Sequence, residues 1–140
     1  MRSTIPFRAL LCAGVLCAGA IGAATPAAAH HAFASTFDAQ KPLKMTGTVT
    51  RVDWRNPHTW FYVDVADAQG RVTTWAMELA SPNLLMRNGW TRSTMQPGDV
   101  VTVEGYRAKN DSHTGNARVV VLKATGQRLF ASPGAGKGES

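Results

Sequence analysis

Alternating hydrophobic and polar positions predict β-strands along most of the chain after residue 43. A period of two is typical of a strand that buries one face. The first such run predicts a strand at about Lys44–Asp53, and the clearest run predicts a second strand at about Thr59–Ala66. The two faces of this second strand are Phe61, Val63 and Val65 on one side, and Trp60, Tyr62 and Asp64 on the other.

A turn, a third strand and a short helix follow. Asp67–Gly70 predicts a tight turn whose glycine takes the positive backbone dihedral. Arg71–Leu79 predicts the third strand, and Ser81 and Pro82 favour the start of a helix, as N-cap and first helical residue. Gly89 ends that helix. The third-strand side chains assigned to the core are Trp75, Met77 and Leu79.

The remaining strands are shorter and are separated by polar turns. Gln96–Asp99 is a strong turn that precedes a half-buried strand at Val100–Ala108. Asn110–Gly115 reads as an exposed hairpin tip, Ala117–Lys123 as the returning strand, and Gly126–Phe130 as a short final strand.

Three strands, a short helix and two further strands form the element order of the OB-fold. The sequence therefore predicts a mainly β protein, a small five- to six-stranded OB-like Greek-key barrel with one short helix between strands three and four. A β-sandwich with one helical connection is the alternative. The predicted divisions are a signal peptide (1–29), an N-terminal arm (30–42), the OB-like β domain (43–130) and a disordered tail (131–140).

The first residues have the order of a secretory signal: two arginines, an apolar run over residues 9–24, and small residues ending at Ala29. The run contains glycines and falls short of the roughly 20 strongly apolar residues that span a bilayer. We therefore expect cleavage near Ala29 and a periplasmic or secreted protein with no membrane span. Cys12 and Cys17 both lie in this segment, so the mature chain has no cysteine and no disulfide.

Charge favours some partners over others. The whole chain carries a formal charge of +6, which becomes +4 when Arg2 and Arg8 are removed with the signal. That excess would attract anionic surfaces such as cell-wall polymers or lipid head groups. Nucleic acid is not expected as a partner, because the basic residues are scattered and the chain leaves the cytoplasm.

Two adjacent histidines follow the predicted cleavage site. Cleavage after Ala29 would create an α-amine with a pKa near 8, and this amine and the imidazole of His30 form a chelate that suits copper(II). Cleavage one residue earlier puts His31 third, where it can close a square-planar chelate through deprotonated amides. His58 is the candidate third ligand. A solvated, flexible arm that binds no metal is the alternative.

A second concentration of polar and aromatic residues lies between strands one and two. Pro57 excludes a helix there, and this loop and the outer face of strands two and three form the ligand surface of many OB-folds. A planar or sugar-like ligand would suit such aromatics. The predicted ligand-binding residues are Trp54, Arg55, Asn56, His58, Trp60 and Tyr62. The alternative is that the arm or the helix covers Trp60 and Tyr62 and makes them a second small core.

Three other residues have simpler interpretations. Trp90 is expected in the core at one end of the barrel, His113 on the exposed hairpin tip, and Glu78 near the positive end of the helix dipole. Signatures of catalysis are missing: the mature chain has no cysteine nucleophile, no Gly-x-Ser-x-Gly turn and no phosphate-binding glycine loop. We therefore expect no enzyme, and a hydrolase ranks last among the function classes.

A set of short motifs resembles a family of small exported bacterial proteins known as a domain of unknown function. The resemblance covers His30 to about Phe130, and the sequence departs from the family pattern at residues 123–128. It implies an exported, soluble, OB-like protein and no particular activity. The motifs are His30-His31-Ala32-Phe33, Phe37-Asp38, Asn56-Pro57-His58, Ser81-Pro82-Asn83, Gly89-Trp90, Pro97-Gly98-Asp99 and Gly105-Tyr106-Arg107-Ala108-Lys109.

Together these features predict an exported small binding or accessory protein whose partner is a small ligand, a cell-wall polymer or a periplasmic protein. A copper-binding protein that uses His30 and His31 is the alternative. Copper is the one cofactor that the sequence suggests.

Overall fold

The computed structural model describes residues 33–132, which form six strands and one helix after an initial helical turn at residues 33–36. The strands are β1 (Phe37–Asp53), β2 (Trp60–Ala66), β3 (Val72–Glu78), β4 (Val100–Ala108), β5 (Thr114–Leu122) and β6 (Arg128–Phe130). The helix α1 (Pro82–Arg87) lies between β3 and β4.

Five strands close into a ring. The sheet order is β3-β2-β1-β4-β5-β6, and β3 also pairs with β5. That closing pair is parallel and joins Ala76–Glu78 to Thr114–Asn116, whereas every other pair of these strands is antiparallel. The result is a small β barrel with β6 added beside β5. This confirms the predicted mainly β architecture, a small barrel-like fold with a short helix between strands three and four.

A path that steps from each residue to its paired neighbour on the next strand leads once around this barrel. It starts at Pro42 on β1 and returns to the same strand at Asp53, eleven residues further along. Such a stagger is expected when tilted strands close into a barrel. We call this path the cross-strand row; its members are Pro42, Tyr106, Asn116, Glu78, Trp60 and Asp53.

Apolar side chains from all five ring strands fill the barrel. Trp90, which follows α1, is also buried, and its Nε1 donates a hydrogen bond to the carbonyl oxygen of Phe130 at 3.0 Å. The predicted core position of Trp90 is confirmed. The largest other buried side chains are Phe61, Met77, Leu79, Leu85, Met95, Val49, Val63, Val101, Val103 and Val120.

The helix and its neighbouring turns form as their residue types predict. The Oγ of Ser81 accepts a 3.4 Å hydrogen bond from the Leu84 N–H, and Gly89 has a φ of +86° just after the helix. In the turn before β4, the Gln96 N–H donates to the Asp99 carboxylate at 2.8 Å. These contacts satisfy backbone groups that would otherwise lack partners at the ends of the elements.

Two ends of the domain differ from the prediction. β1 begins at Phe37, so part of the segment predicted as an arm is strand. Phe37 pairs with Ala108, and the register then shifts before Pro42, which interrupts the alternation that would have marked a strand. Ala131, predicted in the disordered tail, is buried, and its backbone bonds to both Ala80 and Arg118 at 2.8 Å. Residues 133–140 lie outside the described part of the chain.

The initial helical turn is fixed to the end of β4. The Lys109 N–H donates to the Thr36 carbonyl oxygen at 2.9 Å, and Lys109 Nζ donates to the carbonyl oxygen of Ala34. The ring of Phe33 lies 5.6 Å from that of Phe37 and 5.9 Å from that of Tyr106, measured between centroids. Aromatic pairs at such distances are mutually stabilising. The chain therefore enters the barrel at a defined place, beside Tyr106.

The approach of β4 to β5 depends on a glycine. A Cβ at Gly105 would lie 1.9 Å from the Asn116 carbonyl oxygen, and backbone cannot move aside there without breaking the pairing of β5. We expect Gly105→Ala to lower the free energy of unfolding by about 2 kcal/mol or more, the cost of forcing an atom into a packed site. Urea denaturation measures this change.

Gly126→Ala is the matched control. A Cβ at Gly126 meets no atom within 4 Å, but the residue has a φ of +73°. Backbone strain alone should cost about 1 kcal/mol there. Equal decreases in the free energy of unfolding of the two variants would show that the close approach of Gly105 to Asn116 adds no cost of its own.

Candidate functional site

The pairing of β1, β2 and β3 gathers polar and aromatic side chains on the outside of the barrel. Arg51 pairs with Tyr62, Asp53 with Trp60, and Trp60 with Glu78. The intervening positions carry the core residues Phe61 and Met77, so these partners lie on the opposite, outer face. Together with His58, which contacts Glu78, they form what we call the outer patch: Arg51, Asp53, His58, Trp60, Tyr62 and Glu78.

His58 is held next to the end of β3 by the backbone that follows it. The Thr59 N–H donates to the carbonyl oxygen of Ala80 at 3.1 Å, and the Leu79 N–H donates to the carbonyl oxygen of Thr59 at 2.8 Å. These two bonds continue the β2–β3 pairing into the loop. As a result the Nδ1 of His58 meets the Oε1 of Glu78 in a hydrogen-bonded pair.

Glu78 is a buried carboxyl group on an otherwise exposed face. Only 9% of its surface is accessible. Burial raises its pKa above the ordinary value, because an ion loses hydration there, and the neighbouring His58 opposes that rise. A half-exposed histidine on a buried carboxyl group is an arrangement that can accept or donate a proton, or hold an imidazole in one orientation.

Trp60 and Tyr62 are each half-buried. Both side chains are partly accessible on the outer face of β2. The guanidinium of Arg51 lies 3.9 Å above the centre of the Tyr62 ring, and it also contacts the Asp53 carboxylate at 3.1 Å. A cation over an aromatic face is attracted by the ring, so Arg51 covers one side of Tyr62. The remaining accessible surface of the two aromatics is available to a ligand.

The chain belongs to DUF6152. The family, described as one of unknown function, matches residues 19–117, which includes β1 to β4 and the outer patch. This confirms the resemblance to a domain of unknown function. Neither the curated proteins nor the solved structures contain a match to the chain.

The other three predicted ligand residues of this DUF6152 protein are not among the residues that strand pairing joins in the outer patch. Trp54 packs partly against the barrel core, under the guanidinium of Arg92 at 5.7 Å, and its Nε1 is buried without a hydrogen-bond partner. Arg55 and Asn56 are exposed in the loop, where the Asn56–Pro57 peptide is cis. Of the six predicted residues, the structure brings together His58, Trp60 and Tyr62.

The predicted metal ligands are only partly within the described chain. His30 and His31 lie outside it. Between residues 33 and 132, no three His, Cys, Asp or Glu side chains come together in a way that would hold a metal ion. His113 is exposed, as predicted, and its ring lies 5.2 Å from that of Trp75.

Sequence reasoning missed three members of the outer patch, Arg51, Asp53 and Glu78, and strand parity could have identified all three. Glu78 lies between the core positions Met77 and Leu79, so it must face outward on the same side as Trp60. Arg51 occupies the equivalent outward position on β1. Because Glu78 was related only to the dipole of the following helix, its position beside Trp60 was not predicted.

No helix within residues 33–132 has the length and apolar character needed to cross a bilayer. A shallow depression of about 180 Å³ lies between Pro42, Gly105, Tyr106 and Arg118, away from the outer patch. None of the residues that line this depression belongs to the outer patch.

The raised pKa of Glu78 predicts how stability depends on pH. Because the folded state disfavours the carboxylate, the contribution of Glu78 is most favourable below the ordinary pKa of 4.5 and declines as pH rises through the raised folded value. Glu78→Gln should therefore gain stability relative to the parent protein as pH rises above 4.5. Urea unfolding between pH 4 and pH 8 measures the difference.

Glu104→Gln is the matched control with the opposite sign. Hydrogen bonding to Lys44, helped by the charge of Arg128, lowers the pKa of Glu104, so its contribution is present above 4.5 and is lost as pH falls through the lowered value. That variant should lose stability relative to the parent protein as pH rises. If Glu78→Gln also lost stability relative to the parent protein as pH rises, attraction to His58 would lower the pKa of Glu78 by more than burial raises it.

Proposed function

We propose that this DUF6152 protein is an exported, periplasmic binding protein that uses the outer patch to bind cell-wall glycan. The observation that carries the proposal is the placement of Trp60 and Tyr62, which lie two residues apart on the outer face of β2 and are both half-exposed beside charged groups. Since apolar side chains fill the barrel, its outer surface is the place for a ligand.

The chemistry of the outer patch suits a sugar. Flat aromatic faces stack on the apolar C–H faces of sugar rings, and the Trp60 ring together with the side of the Tyr62 ring that Arg51 does not cover would serve this purpose. Side chains two apart on a strand are separated by roughly 6.6 Å, which lets both contact one extended chain. Arg51 and the exposed Arg55 and Asn56 supply donors for hydroxyl and carboxylate groups. A positive net charge favours approach to an anionic polymer.

Soluble muropeptides released from peptidoglycan are the probe for this site. We expect Trp60→Ala and Tyr62→Ala each to weaken muropeptide binding by about tenfold, the loss of one good aromatic contact. Isothermal titration of the mature protein measures the affinity. Trp75→Ala is the control on the opposite face of β3, where the half-buried Trp75 packs against the core and lies under Arg107; its muropeptide affinity should be unchanged, and thermal unfolding reports the stability that it loses.

Thermal unfolding separates a binding role from a packing role. Phe61→Ala removes a fully buried side chain and should cost about 3–5 kcal/mol, whereas the two surface variants should remain folded with much smaller losses. Trp60→Ala and Tyr62→Ala as unstable as Phe61→Ala would identify these aromatics as core. Folded variants with unchanged muropeptide affinity would exclude glycan binding at the outer patch.

The exported state has its own test. Full-length protein expressed in a Gram-negative host should be recovered from the periplasm without its first 28 or 29 residues, so that it begins at Ala29 or His30. Intact-mass spectrometry identifies the new N-terminus directly. Recovery of a cytoplasmic protein that retains residues 1–29 would contradict the proposal of export.

A further inference from the structure

A bulge in β5 directs one arginine toward the shallow depression on the outside of the barrel. Two consecutive residues of β4, Glu104 and Gly105, pair with Val119 and Ala117, which leaves Arg118 as an extra residue without a partner on β4. Bulges re-aim a side chain and often lie next to binding sites. Here the Arg118 side chain lines the depression.

Arg118 is a half-buried cation without an acidic partner. The other half-buried lysine and arginine side chains within residues 33–132, Lys41 and Arg107, both contact the Asp111 carboxylate, whereas Arg118 contacts no carboxylate in this range. Its Nη1 donates to the hydroxyl of Tyr106 at 3.1 Å. A guanidinium has five N–H donors in a fixed fork, so most of them remain available to an anion. Partly desolvated charges are normally paired, and this one lacks its counter-ion within the described chain.

The surroundings of Arg118 indicate which kind of anion fits. Glu104 lines the same depression, but its two oxygens contact Lys44 Nζ at 3.0 Å and Arg128 Nη2 at 3.2 Å. Its charge is therefore offset by two cations and does not cancel that of Arg118. A carboxylate matches two parallel N–H groups of a guanidinium, and its single charge is repelled less by Glu104 than the double charge of a phosphate. The depression, of about 180 Å³, has room for such a group.

The cross-strand row connects this depression to the outer patch. Tyr106 pairs with Asn116, Asn116 with Glu78, and Glu78 with Trp60. Three steps between neighbouring strands amount to roughly 14 Å, and an extended peptide of about four residues spans roughly 13 Å. A short peptide attached to a sugar on Trp60 is therefore long enough to bring a carboxylate to the depression.

We propose that Arg118 binds a carboxylate of the stem peptide of a muropeptide whose sugar lies on the outer patch. This inference rests on the proposed glycan binding and narrows its substrate class to glycan that carries an acidic peptide. The aromatic residues of the outer patch then contact the sugar, and the guanidinium of Arg118 contacts the peptide. The Tyr106 hydroxyl holds one N–H of that guanidinium.

Two probes test the proposal: a muropeptide, and the same muropeptide with the carboxylates of its peptide converted to amides. Isothermal titration of the exported protein measures both affinities. Arg118→Gln should weaken binding of the acidic muropeptide by about 10- to 100-fold, the loss of hydrogen bonds between charged groups. It should leave the affinity for the amidated probe unchanged, because that probe has no carboxylate for Arg118 to bind.

Two further variants separate the guanidinium from charge in general. Arg118→Lys keeps the positive charge but not the fork of parallel N–H groups, so we expect a smaller loss, again confined to the acidic probe. Arg87→Gln is the matched control, because it removes the same charge from an exposed arginine at the end of α1. Its affinity for both probes should equal that of the parent protein. Thermal unfolding verifies that each variant is folded.

Three outcomes would overturn the proposal. One is a folded Arg118→Gln whose affinity for the acidic muropeptide is unchanged. Another is an equal loss of affinity for the acidic and amidated probes, which would show that Arg118 does not bind the carboxylate. The third is an equal loss in Arg87→Gln, which would assign the effect to net charge.

Glycan binding and carboxylate binding fail separately in this experiment. Trp60→Ala should weaken binding of both probes, since both carry the sugar. Unchanged affinity of Trp60→Ala for both probes would contradict glycan binding at the outer patch. Weaker binding of both probes by Trp60→Ala, with unchanged binding of both by Arg118→Gln, would support glycan binding and contradict the carboxylate site alone.

Discussion

The parallel pairing of β3 with β5 is the constraint on which the rest of this structure depends. It involves only three residues on each strand, yet it turns an antiparallel sheet into a closed ring. Close backbone approach is required in the neighbouring β4–β5 pair, where a Cβ at Gly105 would lie 1.9 Å from the Asn116 carbonyl oxygen. In the closing pair itself, a Cβ at Gly115 would meet side-chain atoms of Met77 and Leu43. Closure in turn sets Glu78 beside Asn116 at the edge of the outer patch.

Much of the fold could be predicted from the sequence because its strands have one solvent-exposed face and one buried face. The alternation at Trp60–Ala66 and Val100–Ala108 locates β2 and β4 almost to the residue, and Ser81 and Gly89 mark the limits of α1. The early part of β1 escaped prediction because its register shifts between Phe37 and Pro42, so no regular alternation survives there. Ala131 escaped because its burial depends on Ala80 and Arg118, which are distant in sequence.

The site was predictable in parts. His58, Trp60 and Tyr62 were recognised by residue type. Strand pairing then places Arg51 beside Tyr62 and Glu78 beside Trp60, and His58 contacts Glu78. Trp54 shares the parity of Val52, which packs against the core, and that relation explains why it lies against the core as well. No sequence pattern states that a loop histidine will meet a particular buried carboxyl group. That contact results from the Thr59 backbone bonds to the end of β3.

Barrel closure also has a consequence for the order in which the protein can fold. The partner of Ala76–Glu78 is Thr114–Asn116, so a growing chain that ends before Asn116 has an open meander with its apolar face uncovered. Contacts between segments so far apart form late and slowly. The closed barrel therefore becomes accessible to a growing chain only when nearly all of its strands have been synthesised, and until then its shorter intermediates leave apolar surface uncovered.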